Sequence, residues 1–283
     1  MLFFISNLIL KIKWKASLVK IFILLISLNE FFNKNVYNWK DASFKNVTSQ
    51  NIININTGNK NIKINKPINI KNKNTINFYV DFETINNHIC NYDEYLNYNN
   101  QNLEPVKSTE MIYLIGVGYS KNDKWIFKSF LVNKLTYNQE IKIIKQWMAY
   151  MNKHMIQNKC TKMNIIHWTY AERRMLNTSC IRHKLNYMNM LDKSWIDLCK
   201  LFKDNIYIKD AFNYSLKSIA PAMYKHGFIK TKWEDDELNG LSTMIAIEYY
   251  NKLCNNLNKH KDVKKIIKYN EIDCKVMWEL CLL

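Results

Sequence analysis

Asn77-Phe78-Tyr79-Val80-Asp81-Phe82-Glu83-Thr84 is the stretch on which the fold turns. It is built from aromatic and β-branched residues that favour a strand, yet it carries two carboxylates. Strand side chains alternate between faces, so Tyr79, Asp81 and Glu83 share one side and Phe78, Val80 and Phe82 the other. A carboxylate in an apolar setting is costly unless something pairs with it. The alternative, a solvated edge face, sits badly with Tyr79 and with the apolar run around the acids.

Outward from this strand the pattern is regular. Met111 to Ser120 and Lys124 to Val132 read as a second and third strand, joined as a hairpin by Ser120-Lys121-Asn122-Asp123. Tyr137 to Lys153 has the spacing of an amphipathic helix, with Thr136 and Gln139 as a capping box. Met163 to Trp168 is a fourth strand, followed by a helix from about Tyr170 to Asn186, and Trp195 to Phe202 is a short fifth strand. Tyr214 to His226 is a helix that Gly227 can end, and Leu241 to Leu257 and Val263 to Leu283 are the last helices. Three antiparallel strands followed by alternating helix and strand predict an α/β fold, a mixed sheet flanked by helices.

Further acids recur at a distance. Ile266, Tyr269, Asp273, Val276 or Met277, and Leu280 follow helical spacing, so Tyr269 and Asp273 interrupt a stripe that should face the sheet, while Glu271 falls off it into solvent. A purely structural role, with Tyr269 hydrogen-bonding Asp273 as a core pair, accounts for that segment equally well. Glu172 lies in the first turn of a helix after the apolar run Asn164 to Trp168. There it complements the helix dipole, or else it joins the other acids. Converging carboxylates repel one another unless protons or cations hold them, and divalent metal is the simplest holder for four. A common use of such metal is phosphoryl chemistry.

The bulk composition bounds the rest. With 283 residues and 48% hydrophobic content the chain can fill one large core. Its formal net charge of +17 suits a polyanion, although heavy use of Lys, Asn, Ile, Tyr and Phe throughout reduces the weight of that argument. Seven cysteines without a CxxC pair indicate neither a zinc site nor a disulfide framework, and fit reduced thiols in an intracellular protein. Residues 1–34 alternate apolar runs with Lys11, Lys13, Lys15 and Lys20 and predict a helical segment that docks on a partner or lies on a membrane surface; no run is long enough to span a bilayer. Residues 35–74, rich in Asn and Lys, read as a poorly ordered linker, and 75–283 as the folded domain.

The motifs resemble a known superfamily. Asp81-Phe82-Glu83-Thr84 is similar to the first motif of DEDD-type 3′–5′ exonucleases, which have an RNase H-like fold, and Tyr269 with Asp273 resembles their third motif in its tyrosine variant. The resemblance extends to predicted RNase H-related nucleases found with RecB-type modules: Ile112 to Val117, His167-Trp168-Thr169-Tyr170-Ala171-Glu172, Trp195-Ile196-Asp197-Leu198, Tyr214-Ser215-Leu216-Lys217-Ser218-Ile219, and Tyr269 to Asp273, in order over about Phe78 to Leu280. Most of the superfamily has Asp in the second motif, where this chain has Glu172.

The resemblance implies two Mg²⁺ or Mn²⁺ ions on Asp81, Glu83, Glu172 and Asp273, and Tyr269 orienting the attacking water. It implies phosphodiester hydrolysis from a single-stranded 3′ end of DNA or RNA, in repair or replication. A structure-specific endonuclease, or an inactive RNase H-like module that only binds nucleic acid, are the alternatives. Asp197 reads as a strand-end residue satisfied by backbone, His167 as a packed histidine, Arg173, Arg174 and Lys217 as solvated charge, and Asp235, Asp236 and Glu237 as an acidic surface loop.

Overall fold

The computed structural model describes residues 47–70, 72–86, 110–185, 195–234 and 239–283. The predicted segment 1–34 and the acidic loop of Asp235, Asp236 and Glu237 lie outside them. Along the chain come α1 (Val47–Thr57), β1 (Ile62–Ile64), β2 (Thr75–Ile85), β3 (Met111–Lys121), β4 (Lys124–Leu131), α2 (Tyr137–Gln157) and β5 (Lys162–His167). They are followed by α3 (Ala171–Arg182), β6 (Trp195–Asp197), α4 (Leu198–Asn205), β7 (Ile206–Ile208), α5 (Leu216–Lys225), α6 (Gly240–Leu253) and α7 (Val263–Leu280).

Five strands form the central sheet in the order β4-β3-β2-β5-β6. β2 pairs antiparallel with β3, and β3 with β4; β2–β5 and β5–β6 are parallel. This is the mixed sheet expected from three strands followed by alternation. The β3–β4 turn has two central residues, Asn122 and Asp123, both at left-handed φ (49° and 58°). That geometry matches the right-handed twist of the flanking strands.

Helices cover both faces, which is why β2 is largely buried along its length although one of its faces carries the acids. Phe78, Val80 and Phe82 pack with Ile143, Ile144 and Trp147 of α2 and Leu176 of α3. The Phe82 ring meets Trp147 edge-on at 5.3 Å. Each buried phenylalanine on this face contributes roughly 1.5–3 kcal/mol through the hydrophobic effect. On the opposite face Tyr79 packs in a core with Ile272, Val276 and Leu280 of α7. The alternation read from the sequence thus separates two cores. Between Glu83 and Thr84 the register slips: Glu83 faces Leu114 and Thr84 faces Ile112, leaving Tyr113 as an extra residue of β3. Bulges of this kind re-aim side chains near functional sites.

Two expectations need correction. Trp195 to Phe202 is not one strand; only Trp195–Asp197 pairs with β5. The Asp197 carboxylate accepts from the Lys200 backbone N–H at 3.0 Å and starts α4 at Leu198. An N-cap of this type outweighs the strand propensity of the residues around it. The second correction concerns residues within the Asn/Lys-rich stretch 35–74. Residues 47–57 are helical, and β1 pairs antiparallel with β7 in a second, two-stranded sheet. Ile53, Ile55, Ile68 and Ile70 are buried. Asn56 Oδ1 accepts from the Asp210 N–H at 2.8 Å, and Lys209 Nζ donates to the Gly58 carbonyl at 3.1 Å. Composition alone counted these Asn and Lys residues as solvent-seeking, whereas they join specific bonds while the isoleucines supply the core.

Among the described residues no helix is long and apolar enough to cross a membrane. The six cysteines among them (160, 180, 199, 254, 274 and 281) are free thiols.

Candidate metal centre

Asp81 and Glu83 reach the same side of β2, as the alternation requires, and α7 crosses that side. Helical spacing on α7 puts Ile266, Tyr269, Asp273, Met277 and Leu280 on its buried face. One carboxylate oxygen from each of Asp81, Glu83 and Asp273 lies within 4.8 Å of the other two. Residues 81 and 273 are nearly the length of the domain apart in sequence, and the strand–helix crossing joins them.

Glu172 is not part of that tight trio. It is buried in the first turn of α3, with Oε2 3.4 Å from His167 Nδ1, and neither atom makes a hydrogen bond of normal geometry. Its charge still reaches the group, since it helps to raise the pKa of Asp81, Glu83 and Asp273. His167 is buried and its ring meets Trp195 edge-on at 5.0 Å, so packing is part of its role, but its Nδ1 faces the second-motif acid instead of a satisfied core partner.

The electrostatics are those of anions without enough partners. Burial first, then the charges of Asp273, Glu83 and Glu172, drives the Asp81 pKa well above the carboxylate range. Burial and Asp273 push Glu83 up to about 8, against the Thr243 hydroxyl and Lys217. Burial lifts Asp273 to about 6, with Lys217 pulling the other way. Glu172 is also raised, chiefly by burial, with His167 opposing. Around the acids His167 Nδ1, Glu172 Oε2 and Asn270 Oδ1 are buried and lack a hydrogen-bond partner among the described residues. A buried, unpartnered carboxylate oxygen beside three mutually repelling acids fits a hard divalent cation with oxygen ligands.

Several contributors were not legible as site residues. Lys217 Nζ is 3.3 Å from Asp273 Oδ1 and lies over the rings of Trp233 (3.4 Å) and Tyr269 (4.1 Å). The expectation of an ordinary solvated charge is therefore corrected. The second position of α5 points this lysine across to α7, a contact with no periodic signature. Thr243 Oγ1 is 3.2 Å from Glu83 Oε2 and 2.9 Å from the Gly240 carbonyl. Asn270 Nδ2 donates to Asp81 Oδ2 at 2.6 Å and to the Asp81 carbonyl at 3.1 Å. Asn270 had a signal: it stands four residues after Ile266 and three before Asp273, on the same helical face. Arg174 instead pairs with Glu110 at 2.8 Å, and Arg173 lies over the Tyr170 ring at 5.9 Å. Asp197 serves as the cap of α4, with only its field reaching Glu172.

The RNase_H_2 family model, described as RNase_H superfamily, matches residues 95–282. That span is two thirds of the chain, and the chain belongs to this family. Searches of curated proteins and of solved structures returned no match. Glu172, Tyr269 and Asp273 lie within the matched span, while β2 with Asp81 and Glu83 precedes it. Membership points to nuclease chemistry on nucleic acid, with divalent metal as the usual cofactor of such folds.

Proposed function

We propose that this protein is a metal-dependent nuclease of the DEDD type in its tyrosine variant, removing nucleotides from a single-stranded 3′ end. The observation that carries the proposal is the convergence of Asp81, Glu83 and Asp273 within 4.8 Å on one face of the sheet, with Glu83 and Asp273 buried and Asp81 partly so. These three would hold Mg²⁺ or Mn²⁺, and Glu172 would complete a set for two ions from the N-terminus of α3. Metal held by these residues would supply polarisation of a phosphodiester and activation of a water.

The chain's own residues supply the rest. Burial and the neighbouring acids drive the Tyr269 pKa upward, so its hydroxyl keeps its proton. It orients a water by hydrogen bonding and does not act as a base. The Lys217 ammonium lies against the rings of both Trp233 and Tyr269, and it offsets one of the negative charges beside Asp273.

The test is incubation of the purified chain with end-labelled single- and double-stranded DNA and RNA, with Mn²⁺, Mg²⁺ or chelator. A ladder shortening from the 3′ end only with metal, and absent in Asp81→Asn, is the expected result. Internal cuts would favour the endonuclease alternative, and binding without cleavage the inactive module.

A further inference from the structure

We infer that Asn270 is the positioning residue for Asp81, and that Gly116 is the seat that lets it act; this rests on the metal-dependent reading above. The Asn270 side-chain amide reaches both the carbonyl and the Oδ2 carboxylate oxygen of the same residue, at 3.1 and 2.6 Å. Both targets are acceptors, so only the NH₂ end can bridge them; a flipped amide would set oxygen against oxygen. The two bonds tie the Asp81 side chain to its own backbone through a rigid group on α7. They fix its rotamer and leave Oδ1 as the oxygen without this bond.

The arrangement is held at a cost. Asn270 Oδ1 is buried and has no hydrogen-bond partner among the described residues. Leaving a buried acceptor unsatisfied is unfavourable, and where a native fold tolerates it a functional reason is the usual explanation. The same oxygen faces β3 at its barest point. A Cβ on Gly116 would overlap Asn270 Oδ1 outright and would fall 2.8 Å from its Cγ and 3.2 Å from Cys274 Sγ. Any side chain at 116 would therefore drive the amide away from Asp81. The glycine, otherwise a weak choice in the interior of a strand, is explained by close approach of the helix. Residues 81, 116 and 270 thus form one device across β2, β3 and α7, and Asp81 is itself the partner of Gly116 in the β2–β3 register.

Partners that orient a metal ligand typically govern affinity by 10–100-fold. The experiment compares wild type, Asn270→Ala, Gly116→Ala and the double variant by calorimetric titration with Mn²⁺. The Mn²⁺ concentration for half-maximal cleavage and the melting temperature in chelator are measured alongside. Asn270→Ala is expected to weaken Mn²⁺ binding by about 10–100-fold and to shift the half-maximal concentration in parallel, with cleavage recovering at high Mn²⁺. Gly116→Ala should do the same. The double variant, in which the overlap with the amide is gone, should bind no worse than Asn270→Ala, because both changes remove one interaction. Unchanged Mn²⁺ affinity in a folded Asn270→Ala protein overturns the inference, as do losses that add in the double variant. If wild type binds Mn²⁺ but cleaves nothing, the nuclease reading falls while calorimetry still scores Asn270. If wild type binds no Mn²⁺, both fall.

Discussion

Glu83 and Glu140 are the same residue type, both buried, and they sit against opposite faces of one sheet. Glu140, in the first turn of α2, is surrounded by donors. Its Oε1 accepts from the Ile112 backbone N–H (2.8 Å) and the Ser179 hydroxyl (2.7 Å), and its Oε2 meets Arg182 and His183, each at 2.7 Å. Burial would raise its pKa, but the His183 bond, the Arg182 charge and Ser179 outweigh it, and the carboxyl sits below its ordinary value. Glu83 has the Thr243 hydroxyl nearby and two more carboxylates within ligand distance, and it is pushed up to about 8. A buried acid that a fold uses for cohesion is saturated with donors; the acids around Glu83 are left short of positive charge, as a candidate cation site would be.

Paired substitutions turn that contrast into measurements. Glu83→Gln should reduce metal-dependent cleavage by at least ~10²–10³-fold, the scale of losing one preorganised electrostatic group, while the melting temperature in chelator holds or rises. Glu140→Gln should do the reverse. It breaks the buried ion pair with Arg182, at a loss of about 3–5 kcal/mol in urea unfolding, with cleavage per folded molecule unchanged. A destabilised Glu83→Gln protein would show that the two acids share one role after all.

The pH dependences should run in opposite directions. Asp273 (to about 6) and Glu83 (to about 8) bind their protons more tightly in the folded state than unfolded. Their contribution to stability is therefore present below the ordinary carboxylate pKa and is lost as pH rises through 6 and 8. Glu140, depressed, contributes stability above its unfolded pKa that is lost as pH falls through its folded value. Melting curves in chelator should thus fall between about pH 5 and 9, and Mn²⁺ should remove that decline. Glu140→Gln should flatten only the acid limb. The smallest effect is expected from Lys217→Gln. Its ammonium is partly solvated, so its loss should lower the melting temperature in chelator at about pH 8 by only about 2–4 °C, the equivalent of ~1 kcal/mol. No change there would mean that Lys217 does not balance the acids.

Periodicity made half of this visible in the sequence. The two-residue repeat of β2 separated Phe78, Val80 and Phe82 from Asp81 and Glu83, and the helical stripe of α7 turned Tyr269 and Asp273 inward. What stayed hidden depends on partners far apart in the chain. Glu140 finds Arg182, Asn270 finds Asp81 and Lys217 finds Asp273 only once α2, α3, α5 and α7 are stacked on the sheet. Local pattern can turn Asn270 inward but carries no trace of which partner any of these residues meets. The bare backbone at Gly116 and Gly118 in a run of large apolar residues was the nearest thing to a clue, since each lies under a close neighbour.

The ribbon of β1 and β7 carries a consequence for dissecting the protein. Ile62, Lys63 and Ile64 cap the open flank of Ile208, Tyr207 and Ile206. A fragment begun at Thr75, where the large sheet starts, would strip that flank and bare a row of unpaired amides and carbonyls beside apolar side chains. Such borders recruit other molecules edge to edge. Self-association of the shortened form, in light scattering, would trace to a missing neighbour and not to any fault in the five-stranded sheet.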